Sequence, residues 1–187
     1  MKKIETNQDR EKKERKNKII LGVILGLVML FGTAGYSFLS MERTSSSEKV
    51  KYNGLEFVKQ GEYWQTSIQN YNFYFSYLPN ETSEINIKKT LQDYANKPLY
   101  FANNGEAGQE ILRNLQYFVL RVQEACLLSE NCSENLPVKN CSDNIIIIKE
   151  KESLASPVLE EDNCIYIISN NTINSADSFL YKILGIK

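Results

Sequence analysis

The four cysteines, Cys126, Cys132, Cys141 and Cys164, are the residues of this chain best suited to chemistry, and they stand 6, 9 and 23 positions apart. None of these gaps is the C-x-x-C of a thioredoxin-like centre or of half a zinc site. The chain has no histidine, so no imidazole can complete a metal tetrahedron or activate a serine or a thiol. An even set of thiols without metal partners is best spent on itself. Two structural disulfides are expected, and these persist in oxidising surroundings. Three connectivities are open; the predicted elements lean towards Cys126–Cys132 and Cys141–Cys164.

The carboxylates give less. Asp93, Asp143 and Asp177 are unranked candidates for acid–base work. Glu160-Glu161-Asp162 lacks the alternating oxygen ligands of a calcium loop and reads as a solvated hairpin turn. Ser178 and Lys182, four apart, would need a desolvated lysine to act as a pair. Asn104-Gly105-Glu106-Ala107-Gly108 has no phosphate-loop lysine. No catalytic set, metal site or cofactor is expected. Four N-x-S/T triplets, at Asn80, Asn131, Asn140 and Asn170, are candidate glycosylation sites.

These residues must be held by something, and the longest signal lies upstream of them. Ile19 to Leu39 is 21 residues without a charge, roughly 31 Å as a helix, against a hydrocarbon core of about 30 Å. Residues 1–18 carry a net charge of +4 and the remainder −5. The positive-inside bias places the basic arm, 1–18, in the cytoplasm and the rest outside. The expected layout is an arm (1–18), a transmembrane signal anchor (19–39) in the lipid bilayer, a Ser-rich stalk (40–50), and an extracytoplasmic domain (51–187). Thr33, Ala34 and Gly35 leave a cleaved signal peptide open, although the apolar run is longer than such peptides use. Gly22 and Gly26 have a spacing that permits close helix approach. The acidic remainder excludes nucleic acid as a partner.

In the external part, LEFVK, a Gln60-Gly61 turn and EYWQTSI predict a hairpin, and YNFYFSYL adds a third strand. Tyr71, Phe73, Phe75 and Tyr77 share one face of it at period two, which is read as core packing. Ile85 to Ala95 is a weak helix, and LYFA a short strand. A long amphipathic helix is expected from Gln109 to about Leu128, with a stripe of Ile111, Leu115, Phe118, Val122 and Cys126. Its opposite, polar face carries Arg113, Asn114, Arg121, Gln123 and Glu124. NIIIIKEKE is a strand, and SPVLEEDNCIYIIS a second hairpin with Asp162-Asn163 in its turn. The last helix is capped by Asn174 or Ser175, presents Ala176, Phe179, Leu180, Ile183 and Leu184, and ends at Gly185. This order predicts an α/β or α+β domain with both helices laid on one mixed sheet. The cysteines then gather at one end, Cys126 and Cys132 closing the long helix.

The span followed by YNGLEFVKQGEYWQT, LPVKNCSDNIIIIKE, NCIYII and ADSFLYKILGI resembles uncharacterised single-span, membrane-anchored envelope proteins of small-genome archaea of the DPANN type. The resemblance covers most of residues 52–187. It implies an archaeal cell-envelope location and carries no activity or catalytic residue.

The function expected from these features is a non-enzymatic binding or structural module of the cell envelope, with an envelope protein or surface-layer component as partner. The alternative is an envelope enzyme or accessory subunit using acidic residues. A pocket holding two carboxylates in unlike environments favours the alternative; a pocketless surface with one apolar patch favours the module.

Overall fold

The computed structural model describes residues 15–29, 47–128, 132, 135–151 and 156–187. The chain divides into two compact units, Met1–Ser46 and Ser47–Lys187. In the first, residues 15–29 form helix α1, exposed along its length. Among the described residues no helix is long and apolar enough to cross a membrane. Residues 30–39 of the expected span, 1–14 of the arm and 40–46 of the stalk lie outside the described residues.

The second unit opens with four antiparallel strands in sequential order: β1 (Lys49–Tyr52), β2 (Leu55–Gln60), β3 (Tyr63–Ile68) and β4 (Tyr71–Phe75). Strand β1 was not expected. Lys49 and Val50, assigned above to the stalk, pair with Val58 and Phe57. Asn53-Gly54 makes this extra hairpin possible. Both residues hold positive φ, 47° and 81°, as the tight turns that match strand twist require.

The remaining elements are a 3-10 turn (Pro79–Glu81), α2 (Leu91–Tyr94), β5 (Pro98–Ala102), α3 (Gly105–Leu115), β6 (Arg121–Glu124), β7 (Cys126–Leu127), β8 (Val138–Lys139), β9 (Ile145–Glu150), β10 (Val158–Glu161), β11 (Cys164–Ser169) and α4 (Thr172–Ile183). Five of these strands form a mixed sheet in the order β10-β11-β9-β5-β6, parallel except for β10 at the edge. Strands β7 and β8 form a parallel pair of their own. Among the described residues the domain is therefore α+β with three sheets, one of them mixed, and not a single sheet carrying every strand.

The run Ile145–Ile148 explains the centre. All four isoleucines are buried, which only a strand covered on both faces allows, and parallel neighbours suit such a strand. Strand β11 therefore inserts between β10 and β9.

The long helix is corrected most. Helix α3 stops at Leu115, although apolar residues continue at helical spacing beyond it. Phe118 leaves the helix because the meander takes its ring, with centroids 4.8 Å from Tyr71 and 5.8 Å from Phe73. Residues 121–124 then pair along β5, and Cys126 lies in β7 and not at a helix end. Tertiary packing has overridden a local period. Helix α4 also starts earlier than expected. Its cap is Asn171, whose side chain accepts the Asn174 amide at 3.1 Å, and not Asn174 or Ser175. Gly185 ends it at φ 69°, with the Gly185 amide on Lys182 O and the Ile186 amide on Tyr181 O, the crossed bonds of a left-handed C-terminal cap.

The layers follow from the alternation. Leu99, Phe101, Ile146, Ile148, Ile165 and Ile167 face α3 and α4, whose far sides pack on Phe57, Phe73 and Phe75 of the meander. Helices sandwiched between two sheets must be buried on two sides. Of the aromatic strip, Phe73 and Phe75 are core, Tyr71 is 48% exposed and Tyr77 is half-buried. On the other face of the mixed sheet, Tyr100, Ala102, Ile145, Ile147 and Cys164 pack with Ala125 and Leu127.

The cysteines form two bonds. Cys126 joins Cys132, with Cα atoms 5.6 Å apart, and Cys141 joins Cys164, 4.9 Å apart. This is the pairing the sequence leaned towards, although Cys126 is held by β7 and not by a helix end. Cys164 begins β11 directly beside the start of β9, and Cys141 just precedes β9.

Candidate functional site

The three aspartates part company in the fold. Asp93 is the third residue of α2 and accepts from the Thr90 amide at 2.8 Å and its hydroxyl at 2.9 Å. That amide bond is the main cause holding its carboxyl below the usual range. Asp143 pairs with Lys139 at 3.1 Å, one helical-turn spacing away in sequence, and raises the lysine's pKa. Both have ordinary structural employment. Asp177 does not.

Asp177, on α4, is fully buried, and one of its oxygens accepts two backbone amides, Ser76 N at 3.0 Å and Tyr77 N at 2.8 Å. Its other oxygen has no conventional partner. Beside it stands Glu110 of α3, 3% exposed, which accepts from Ser76 Oγ at 3.2 Å and from Arg113 Nη1 at 3.0 Å. Burial first, then the Glu110 charge, pushes the Asp177 carboxyl up to about 9. Two adjacent buried carboxyls cannot both ionise cheaply. Arg113 is bonded to Glu110 and not to Asp177, whose carboxyl keeps its proton at neutral pH.

Asn114 completes the arrangement one turn along α3. Its amide oxygen accepts Tyr74 N at 2.8 Å, and its nitrogen donates to Tyr74 O at 2.7 Å. Tyr181 donates its hydroxyl to Tyr77 O. Side chains of the two helices thus serve the outer edge of β4 and its continuation, where a further strand would otherwise bond. Asn114, expected on the polar outer face, is 2% exposed. We expect Asn114→Ala to cost about 2–3 kcal/mol in urea unfolding, because the Tyr74 amide and carbonyl lose their partner inside the protein; a change below about 0.5 kcal/mol would mean that water replaces it.

Two adjoining clefts open over this network and share Glu106 and Ile173. One, about 550 Å³, is bordered by Glu62, Tyr63, Tyr77, Glu110 and Arg113. The Arg113 guanidinium lies 4.1 Å from the Tyr63 ring centre and donates to its hydroxyl at 3.2 Å. The other, about 500 Å³, is bordered by Asn103, Asn104, Glu150, Asn170 and Asn171. It lies outside the carboxyl ends of β5, β9 and β11. At β5 and β9 the connections diverge to opposite sides, which is where open α/β sheets place their ligand crevices. The walls are amides and carboxylates, suited to hydrogen-bonding a polar ligand.

The other singled-out residues are dispersed. Ser178 and Lys182 line a small separate cavity of about 260 Å³ with Lys187, and the serine hydroxyl donates to Asn174 O at 3.0 Å, within its own helix. Glu160 accepts the amides of Lys88 and Lys89, tying the 83–90 segment to the second hairpin. Asn80, Asn140 and Asn170 are exposed; Asn131 lies outside the described residues. Among the described residues no group of three Cys, Asp or Glu side chains could hold a metal ion. Sequence reasoning missed Glu110, and it misplaced Asn114. The available signal was position: Glu110 adjoins Ile111 of the buried stripe, and Asn114 follows it by three.

No family model, curated protein or solved structure matches the chain.

Proposed function

We propose that the chain is a single-pass membrane protein, with residues 1–18 cytoplasmic and the domain from residue 47 onward outside the cell. There it acts as a non-enzymatic binding module of the envelope, in the archaeal setting its resemblance implies. The observation that carries this reading is the pairing of all four cysteines downstream of a 21-residue uncharged run, because disulfides persist where the surroundings oxidise. The surface is not the pocketless one expected of such a module; on this reading the two adjoining polar clefts are its docking surface for a surface-layer component or another envelope protein. Protease added to intact cells should remove the domain while sparing the arm. A domain that survives until lysis would reverse the orientation.

One observation favours the alternative, an envelope enzyme or accessory subunit using acidic residues: Glu110 borders a cleft beside the buried carboxyl of Asp177, which is pushed up to about 9. The bonds of Asp177 run to the backbone of Ser76 and Tyr77, however, and Glu110 has a side chain only 4% exposed, so the pair serves packing before it serves a substrate. Crosslinking the intact protein in its membrane separates the two readings. A docking surface yields one partner whose crosslink withstands Glu110→Gln, whereas an acid–base site loses turnover with that change.

A further inference from the structure

We propose that the cleft at the carboxyl ends of β5, β9 and β11 binds a neutral saccharide carried by the envelope component that docks there. This ligand class presupposes that the clefts dock a partner, and it names the chemistry of what docks. Its ground is a set of side chains that the fold leaves unused. Asn103 follows β5, Glu106 lies in the first turn of α3, Glu150 ends β9 and Asn170 follows β11. All four are exposed around one cavity of about 500 Å³. No hydrogen bond or ion pair engages these four side chains among the described residues. Asn104 lines the same cavity, and its carboxamide oxygen is buried without a partner. Buried polar atoms are as a rule satisfied, so an orphan calls for a reason. In the second cleft, by contrast, Arg113, Tyr63, Glu110 and Ser76 already bond one another.

Charge and bonding capacity select the ligand. Carboxylates only accept, whereas carboxamides both donate and accept. Helix α3 begins at Gly105 without a side-chain cap, so its first amides add donors that no helical carbonyl takes. A hydroxyl gives its hydrogen to a carboxylate and offers its oxygen to an amide. A polyhydroxylated ring therefore uses both kinds of group in the wall. An anion is disfavoured, because Glu106 and Glu150 repel it and no lysine or arginine lines the cavity. A bare metal ion finds only these two carboxylates, and among the described residues no group of three could hold one. Ile148 and Ile173 supply apolar surface for the C–H face of a sugar ring. Gly108 preserves the arrangement, because a Cβ there would strike Asn104 Oδ1 and turn that side chain away.

The test offers the full chain, in lipid nanodiscs, an array of neutral hexose and N-acetylhexosamine oligosaccharides beside sulfated and uronic-acid ones. Neutral members should bind. Glu106→Ala and Glu150→Ala should each weaken that binding about tenfold or more, since each removes a charge-assisted bond. Gly108→Ala should weaken it too, through Asn104. Glu161→Ala, which removes an equal charge from the exposed end of β10, should leave it unchanged. Bound saccharide should slow hydrogen exchange at the amides of residues 103–106 and 170–173. Binding confined to the acidic members would overturn the proposal, as would binding indifferent to the Glu106 and Glu150 changes. Calcium chloride alone giving the same amide protection would overturn it as well. If no saccharide binds while the membrane crosslink to a partner remains, the ligand class fails and the docking reading stands. If a neutral saccharide binds and is then cleaved, the ligand class stands and the non-enzymatic reading fails.

Discussion

Phe75→Ala should destabilise the domain by about 3–5 kcal/mol, the usual cost of emptying an aromatic site in a packed core. Phe75 has no exposed surface and meets Tyr181 of α4 at 4.3 Å and Phe57 of β2 at 6.2 Å between ring centres. It is the point where the meander and the C-terminal helix interlock. Neither side can relax into the void without moving a sheet or a helix. Folded domains are stable by only about 5–15 kcal/mol, so the variant should be marginal. Tyr71→Ala, on the same face of the same strand, should cost about 1 kcal/mol or less, since that ring is 48% exposed. Urea midpoints measured at constant slope make the comparison. Equal losses at the two positions would show that the meander does not pack on the helices through Phe75.

The second large effect concerns the bond between Cys141 and Cys164, which closes a loop of 23 residues. In the chain-entropy account that constraint contributes roughly 3 kcal/mol, and the six-residue Cys126–Cys132 loop about 2 kcal/mol. Position adds to the difference. Cys164 is fully buried at the start of β11, paired with Ile145 of β9, so its bond fixes the register of two central strands. Replacing Cys141 and Cys164 together by alanine should lower the melting temperature more than replacing Cys126 and Cys132. Far-UV circular dichroism should remain, because the core of Phe57, Phe75, Ile111, Ile146 and Phe179 is large enough to collapse unaided. Mass spectrometry of unreduced peptides checks the premise. Four free thiols or bound zinc would refute both bonds and remove the main support for an exterior location.

Phe75, the two buried carboxyls and Asn114 meet in one place, the junction of β4, α3 and α4. Phe75 fills it, Asp177 and Glu110 fasten the residues that follow, and Asn114 covers the strand edge.

The sequence by itself determined the elements whose pattern is local. Alternation and Gly61 placed the β2–β3 hairpin, although its turn is Gly61-Glu62 and not Gln60-Gly61, since Gln60 pairs with Tyr63; Asp162-Asn163 placed the last hairpin, the β-branched run placed β9, and Gly185 placed the end of α4. Each depends on residues within a few positions of one another, where backbone preference and turn chemistry act directly. The cysteine spacing and the missing histidine likewise excluded C-x-x-C and imidazole chemistry from the sequence itself. Only the tertiary structure decided the sheet order, the early end of α3 and the buried polar cluster. The period of α3 continued past Leu115, but the rings of Tyr71 and Phe73 offered Phe118 a better environment than another helical turn. Asp177 could not be ranked above Asp93 and Asp143 from sequence, because its partners, Ser76 and Tyr77, are 101 and 100 positions away. A helix buried between two sheets has two inner faces. A one-face periodicity reveals the first, and only the fold brings the second to the strand edge it serves.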